Sequence, residues 1–167
     1  MISIHAEQTR DQSAIWEITK AAFAEKAYSG GDEQDLIDKF RSIGALSLSL
    51  VAIDGDSLVG QVSFTPAAIS SEIGIWYALG PIAVVPERQG EGIGGLLIKS
   101  GLNSLQERGA WGCILTGDPR YYSRHGFGLA PEHCPGNEPE KNFMLRTIGD
   151  KKPTGVFSFH KAFYESS

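Results

Sequence analysis

The chain has no basic run anywhere in its 167 residues, and its formal net charge is −5. A nucleic-acid surface needs clustered Lys and Arg to neutralise phosphates, so no nucleic-acid partner is expected. No apolar stretch approaches the roughly 20 residues that span a bilayer, and no membrane partner is expected either. The start, MISIHAEQTRDQ, lacks the basic segment and continuous apolar core of a secretory signal, which points to a cytoplasmic location. Cysteine is scarce: Cys113 and Cys134 form no CxxC pair and cannot make a disulfide framework. Cys113 lies in the strand-like run WGCILTG, where a buried free thiol is the plain expectation. There is no repeat, no low-complexity linker and no break in composition, so one domain over residues 1–167 is expected, with no metal.

What is present switches between two periodicities. ISIHAE alternates like a short strand, and SAIWEITKAAFAEK places Ile15, Ile18, Ala22 and Phe23 on one helical face. YSGGDE breaks that helix, and EQDLIDKFRSI begins another, with Leu36, Ile37 and Phe40 at helical spacing. LSLSLVAID and SLVGQVSFTP alternate around Asp54-Gly55-Asp56, a hairpin signal. IGIWYALGPIAVV is a longer strand, followed by a glycine-rich stretch and a helix that should stop near Gly109. WGCILTG, NFMLRTI and GVFSF read as further strands, with DPRYYSRHG as a turn or short helix. Two strands flanking a helix should be parallel, so the order describes an α/β domain with a mixed sheet.

The glycine-rich stretch PERQGEGIGG sits where a strand ends and a helix begins. A helix N-terminus offers unpaired N–H groups and partial positive charge, and glycines let an anion come close to them. A P-loop is excluded, because Gly94 is followed by Gly95 and Leu96 rather than Lys and a hydroxyl residue. A dinucleotide fingerprint fits only loosely: two helices and a hairpin precede the motif, and Glu107 falls inside the same helix.

The spacing Q-x-x-G-x-G, carried by Gln89, Gly92 and Gly94, resembles the diphosphate-binding signature of the GNAT superfamily of N-acetyltransferases. Neighbouring features agree with it: IAVVP before the motif, and Tyr122 four residues before the Gly126-Phe127 pair. LGPIAV, GDPRYY and the ending from Gly155 to Phe163 are similar to the YhbS-like branch, so the likeness runs along nearly the whole chain. It implies an α/β (α+β) GNAT-type domain whose mixed, centrally splayed sheet is flanked by helices. It implies acetyl-CoA as co-substrate, its coenzyme A diphosphate held by Gln89, Gly90, Glu91, Gly92, Ile93, Gly94 and Gly95, and its pantetheine arm by backbone groups of Ile82, Ala83 and Val84. Pro81 suits that arrangement, since a proline removes a ladder donor from its strand.

In the family a tyrosine in this position protonates the departing thiolate, which makes Tyr122 the candidate general acid, with Tyr121 as its neighbour. An ordinary phenol near ~10 and a thiol near ~8.5 differ by about 2 kcal/mol, so the expected gain is moderate. Relatives often carry a Glu on the strand before the glycine motif, but IGIWYALGPIAVV has no internal carboxylate. Glu72, Glu33, His125 and His133 are the remaining candidates for a base, each read more readily as a solvated surface residue. The Asn that relatives place after the next strand is also missing; Asp118 and Pro119 stand there, and Asp118 can turn the chain by capping. The acceptor, a small-molecule or peptide amine, should enter between YSGGDEQD and WYALG. Asp32, Glu33 and Asp35 could meet a cationic amine there, or simply form an acidic first helical turn. An acyl-CoA-binding regulatory module without turnover, a nucleotide-binding domain of another class, and a homodimer all stay open at this level.

Overall fold

The computed structural model describes residues 1–24, 26–70 and 72–165, and of Glu72 the backbone alone. The first four strands form an antiparallel meander: β1 (Ile2–Ala6), β2 (Leu48–Asp54), β3 (Ser57–Ile69) and β4 (Glu72–Val84). Between β1 and β2 lie α1 (Gln12–Phe23) and α2 (Glu33–Ser42). The crossover helix α3 (Ile93–Glu107) leads to β5 (Gly112–Thr116), which runs parallel to β4. A short helix, α4 (Pro119–Tyr122), precedes β6 (Gly128–Leu129) and β7 (Phe143–Thr147), and β8 (Phe157–Ser158) closes the chain. The sheet order is β1-β2-β3-β4-β5-β7-β6, with β8 clasped onto β3 at Ala68 and Ile69. Among the described residues no helix is long and apolar enough to cross a membrane.

Strand alternation sorts the core onto two faces. Leu50, Ala52, Val62 and Phe64 point under α3, which answers with Ile93, Leu97, Ile98, Leu102 and Leu105 at helical spacing. Each such side chain contributes about 1.5–3 kcal/mol of hydrophobic stabilisation when fully buried. The contact is close because α3 has no side chain at Gly101: a Cβ there would come within 2.4 Å of the Phe64 ring. Val51 faces the other way, against Ile15 of α1 and Ile37 of α2.

That second face also buries a polar stripe, Gln61, Ser63 and Thr65, all at 0% exposure. The Gln61 amide donates to Ser49 Oγ (2.9 Å) and Ser63 Oγ (2.8 Å), and Ser49 Oγ donates to Glu7 Oε1 (2.7 Å). Arg41 closes the chain on both Glu7 oxygens at 2.9 and 2.8 Å.

The feature that creates a site is the short pairing of β4 with β5. Among the described residues the ladder is three pairs long, Trp76, Tyr77 and Ala78 with Gly112, Cys113 and Ile114, preceded by a bond from Trp111 N–H to the Ile75 carbonyl at 2.7 Å. Beyond Ala78, β4 stays with β3 while β5 stays with β7, so the two central strands diverge. The ladder of β3 and β4 shifts register between Val62 and Phe64, opposite Gly80 and Pro81. Gly80 has φ +133, a value that L side chains rarely adopt. Thus Pro81, read from the sequence as a break in pairing, marks the start of the gap, and Gly80 beside it supplies the backbone the break needs.

Candidate active site

The gap opens into one groove of about 1460 Å³ that runs from the glycine stretch, past Gly80 and Pro81, to the start of α2 and the C-terminal segment. At one end the chain leaves β4 through a tight turn at Pro86–Arg88 and enters α3 through Gly90 (φ +84) and Gly92 (φ +86). Gly92 is the residue before the helix, so it leaves the first-turn N–H groups uncapped by any side chain. The first bond back into the helix is from Leu96 N–H to the Gly92 carbonyl at 3.2 Å. The N–H groups of Ile93, Gly94 and Gly95 precede it and open onto the groove, where the helix dipole favours an anion.

Side chains fix this turn from both sides. Gln89 Nε2 donates to the Val84 carbonyl at 3.1 Å, tying the loop to the end of β4. Arg88 donates to Glu91 Oε1 (2.8 Å) and to Asp54 Oδ2 (2.9 Å), fastening the turn to the β2–β3 hairpin. The Arg88 bond, with help from the chain's terminal ammonium, holds the Asp54 carboxyl below its usual range. Gly94 and Gly95 serve a packing need as well. A Cβ on Gly94 would lie 2.6 Å from the Tyr121 hydroxyl, and one on Gly95 would lie 3.0 Å from His125 Cε1. Arg88, Arg120, Arg124 and His125 line this end, and burial first, then Arg124 and Arg146, lowers the His125 pKa.

Along the gap, Val85 N–H bonds the Val59 carbonyl at 2.9 Å. By strand alternation the backbone groups of Val84 and Ile82 then point away from β3, into the opening. The Val84 carbonyl is taken by Gln89, which leaves Val84 N–H and both groups of Ile82 facing the groove.

Across the opening stands Tyr122. Asp118 caps α4 by accepting Arg120 N–H at 2.9 Å, and Pro119 occupies the first helical position. The Tyr122 ring packs over Gly117, where a Cβ would lie only 2.5 Å from it, and beside Tyr121 and Phe127. Burial is the main cause that pushes the Tyr122 phenol up, so it keeps its proton through neutral pH. Among the described residues its hydroxyl has no hydrogen-bond partner, while the Tyr121 hydroxyl lies against Gly94. The adjacent tyrosines therefore occupy different parts of the groove.

Of the residues expected from sequence, Ile82, Val84, Gln89, Gly90, Gly92, Ile93, Gly94, Gly95 and Tyr122 line the groove. Ala83 and Glu91 do not: Ala83 is buried opposite Gln61, and Glu91 is exposed and held by Arg88. Among the acidic trio, Asp32 and Glu33 line the groove, Glu33 accepting from Ser29 Oγ at 2.6 Å. Asp35 instead accepts from Trp16 Nε1 at 3.1 Å, as a structural first-turn residue would. Of the base candidates, His133 bonds the Gly155 carbonyl (2.7 Å) away from the groove, and the Glu72 side chain lies outside the described residues. Glu138 and Asn142, which no motif in the sequence marks, also line the groove from the loop before β7. Asn142 Nδ2 donates to the Gly117 carbonyl at 3.0 Å, and Gly117 N–H returns a bond to the Asn142 carbonyl at 3.0 Å. No group of three or more metal-ligating side chains is found among the described residues.

A family model described as an acetyltransferase (GNAT) domain matches residues 3–130. The chain is 32% identical over 149 residues to the uncharacterized N-acetyltransferase YhbS of Escherichia coli K12, covering 85% of this chain and 89% of that protein. To the uncharacterized N-acetyltransferase YjhQ of the same strain it is 33% identical over 140 residues, covering 81% and 72%. Among solved structures, a GNAT-family acetyltransferase from Brucella melitensis in complex with acetyl-CoA is similar at TM-score 0.86 and 39% identity, covering 98% of each chain. The E. coli YhbS structure in complex with CoA gives TM-score 0.89 at 29% identity, covering 99% of this chain and 93% of that one. The chain belongs to the GNAT acetyltransferase family.

Proposed function

We propose that the protein moves an acetyl group from acetyl-CoA to a primary amine by direct attack in a ternary complex, with Tyr122 as general acid. One observation carries this: the strands diverge between an anion cradle at one end of the groove and a protonated phenol at its centre. The co-substrate fits the residues present. Three first-turn N–H groups and the cationic side chains of Arg88, Arg120 and Arg124 suit a diphosphate. The open backbone groups of Ile82 and Val84 suit strand addition by an amide-containing arm. When bound, acetyl-CoA supplies a thioester carbonyl to which the amine nitrogen bonds as the carbon–sulfur bond breaks.

Tyr122 then gives its proton to sulfur. The nitrogen sheds the proton it cannot keep in an amide, and that proton restores the phenol. Burial widens the gap between this phenol and a thiol in water, but a thiolate released into the same dry site is raised in its turn. An N–H of Ile82 or Val84 aimed at the carbonyl oxygen would add a few kcal/mol of stabilisation.

The experiment is a thiol-release assay with acetyl-CoA across amines, polyamines, amino acids, aminoglycosides and peptides. Amine-dependent release supports the proposal. Tight acetyl-CoA binding with no release over the whole panel would make the protein an acyl-CoA-binding regulatory module instead.

A further inference from the structure

The end of the groove remote from the glycine turn is built around a carboxylate that the chemistry above does not use. Glu138 Oε1 accepts from Thr116 Oγ1 at 2.7 Å, and its Oε2 accepts from the Tyr164 hydroxyl at 2.5 Å. All three line the groove, although they come from the end of β5, the loop before β7 and the closing turn of the chain. Burial first, then the bond to Glu138, pushes the Tyr164 phenol up, so Tyr164 stays a donor. Among the described residues no cation pairs with Glu138. Its two oxygens are each fixed by a neutral hydroxyl, and each keeps lone pairs free.

Alternation along β5 gives this carboxylate its place. Leu115 points into the core beneath α3, and Gly117 lies on the same side, under Tyr122. Thr116 points to the opposite face and takes Glu138 with it. The general acid and Glu138 therefore flank the open end of β5 from opposite faces of the sheet. An acceptor entering past the YSGGDEQD segment, whose Tyr28 and Glu33 line the groove, would meet Glu138 on its own side of the gap, with Tyr122 beyond the thioester.

The attacking nitrogen must be neutral, and a carboxylate paired with it would favour the ammonium form. Glu138 is consequently ill placed as a partner for the nucleophile and well placed for a second positive charge. We infer that Glu138 is the specificity-determining residue of the acceptor site and docks a second cationic group, so that the acceptors are diamines in preference to monoamines. This rests on the amine-acetylating function proposed above.

The test compares diaminobutane and diaminopentane with butylamine and pentylamine, using full-length protein, acetyl-CoA and thiol release. The expected kcat/KM is about tenfold higher for each diamine, the value of one charge-assisted hydrogen bond at a partly exposed site. Glu138→Gln should bring that ratio close to one, chiefly through KM for the diamine. Thr116→Val and Tyr164→Phe, each freeing one carboxylate oxygen, should raise the diamine KM by roughly threefold. Calorimetric binding of coenzyme A, measured on every variant, separates loss of docking from loss of fold. A diamine preference that survives Glu138→Gln overturns the inference, as does wild-type protein that turns over monoamines equally well. No release with any amine overturns the acetylating function itself, and this inference with it.

Discussion

Replacing Tyr122 by Phe removes one oxygen and keeps the packing. The ring centroid lies 4.9 Å from that of Tyr121 and 6.1 Å from that of Phe127, and phenylalanine preserves both contacts. The hydroxyl bonds no described residue, so its loss leaves no buried group without a partner, and stability should change by less than about 1 kcal/mol. The cost falls on the chemistry. General acid catalysis is typically worth 10²–10⁴-fold, and a thiolate departs tolerably without a proton, so the lower bound applies: about a hundredfold in kcat. Coenzyme A affinity should stay within about threefold, because the proposed diphosphate cradle lies at the glycine turn, with Tyr121 between it and Tyr122. Thiol release at saturating amine reads the first quantity and calorimetry the second. Because burial raises the phenol, the difference between wild type and variant should persist up to pH 10. A variant whose kcat lies within twofold of wild type would remove Tyr122 from the mechanism. A difference that fades between pH 8 and 10 would refute the effect of burial.

Gly92→Ala forces a Cβ onto a residue at φ +86, at a cost of about 1–2 kcal/mol, and should weaken coenzyme A binding roughly tenfold by calorimetry. Gly101→Ala gains about 1 kcal/mol of helix propensity but drives a Cβ to 2.4 Å from the fully buried Phe64 ring. Overpacking there costs about 1–3 kcal/mol, so the melting temperature should fall by a few degrees; a rise would mean that α3 slides freely on the sheet. Burial raises both the Cys113 thiol and the Tyr122 phenol, so each binds its proton more tightly folded than unfolded. Their contribution is complete below the unfolded values, near 9 for the thiol and 10 for the phenol, and is lost as pH rises past them. Urea midpoints should therefore drop from pH 8 to 10.5, with a shallower slope for Cys113→Ala.

The glycine end of the groove was legible because its determinants are local. Gln89, Gly92 and Gly94 lie within six residues, and the special backbone of Gly92 is reason enough for a glycine. Pro81 was readable because a missing N–H constrains a strand wherever the strand lies. Gly94 carried a reason that no local pattern contains, since Tyr121 reaches it from another element. The acceptor end is the opposite case. Thr116, Glu138 and Tyr164 are drawn together by the order of β5, β7 and the clasp of β8 on β3. Their residue types are ordinary and their spacing carries no period, so only the fold could assemble them. Asp35 and Glu33 show the same limit on a smaller scale: two carboxylates of one helical turn, one serving Trp16 and the other facing the groove.

The three rungs between β4 and β5 are also the mechanical weak line of the molecule. On one side stand β1 to β4, on the other β5, β7 and β6, bridged by α3 and by the β8 clasp. An arm bonded to Ile82 and Val84 would stitch that line shut, acting as a missing strand. The Tyr77 amide, which alternation turns toward β5, would then exchange faster when coenzyme A is withdrawn, and resistance to unfolding would climb with its concentration. A catalyst assembled this way wears out sooner when it is starved of its donor than when it is at work.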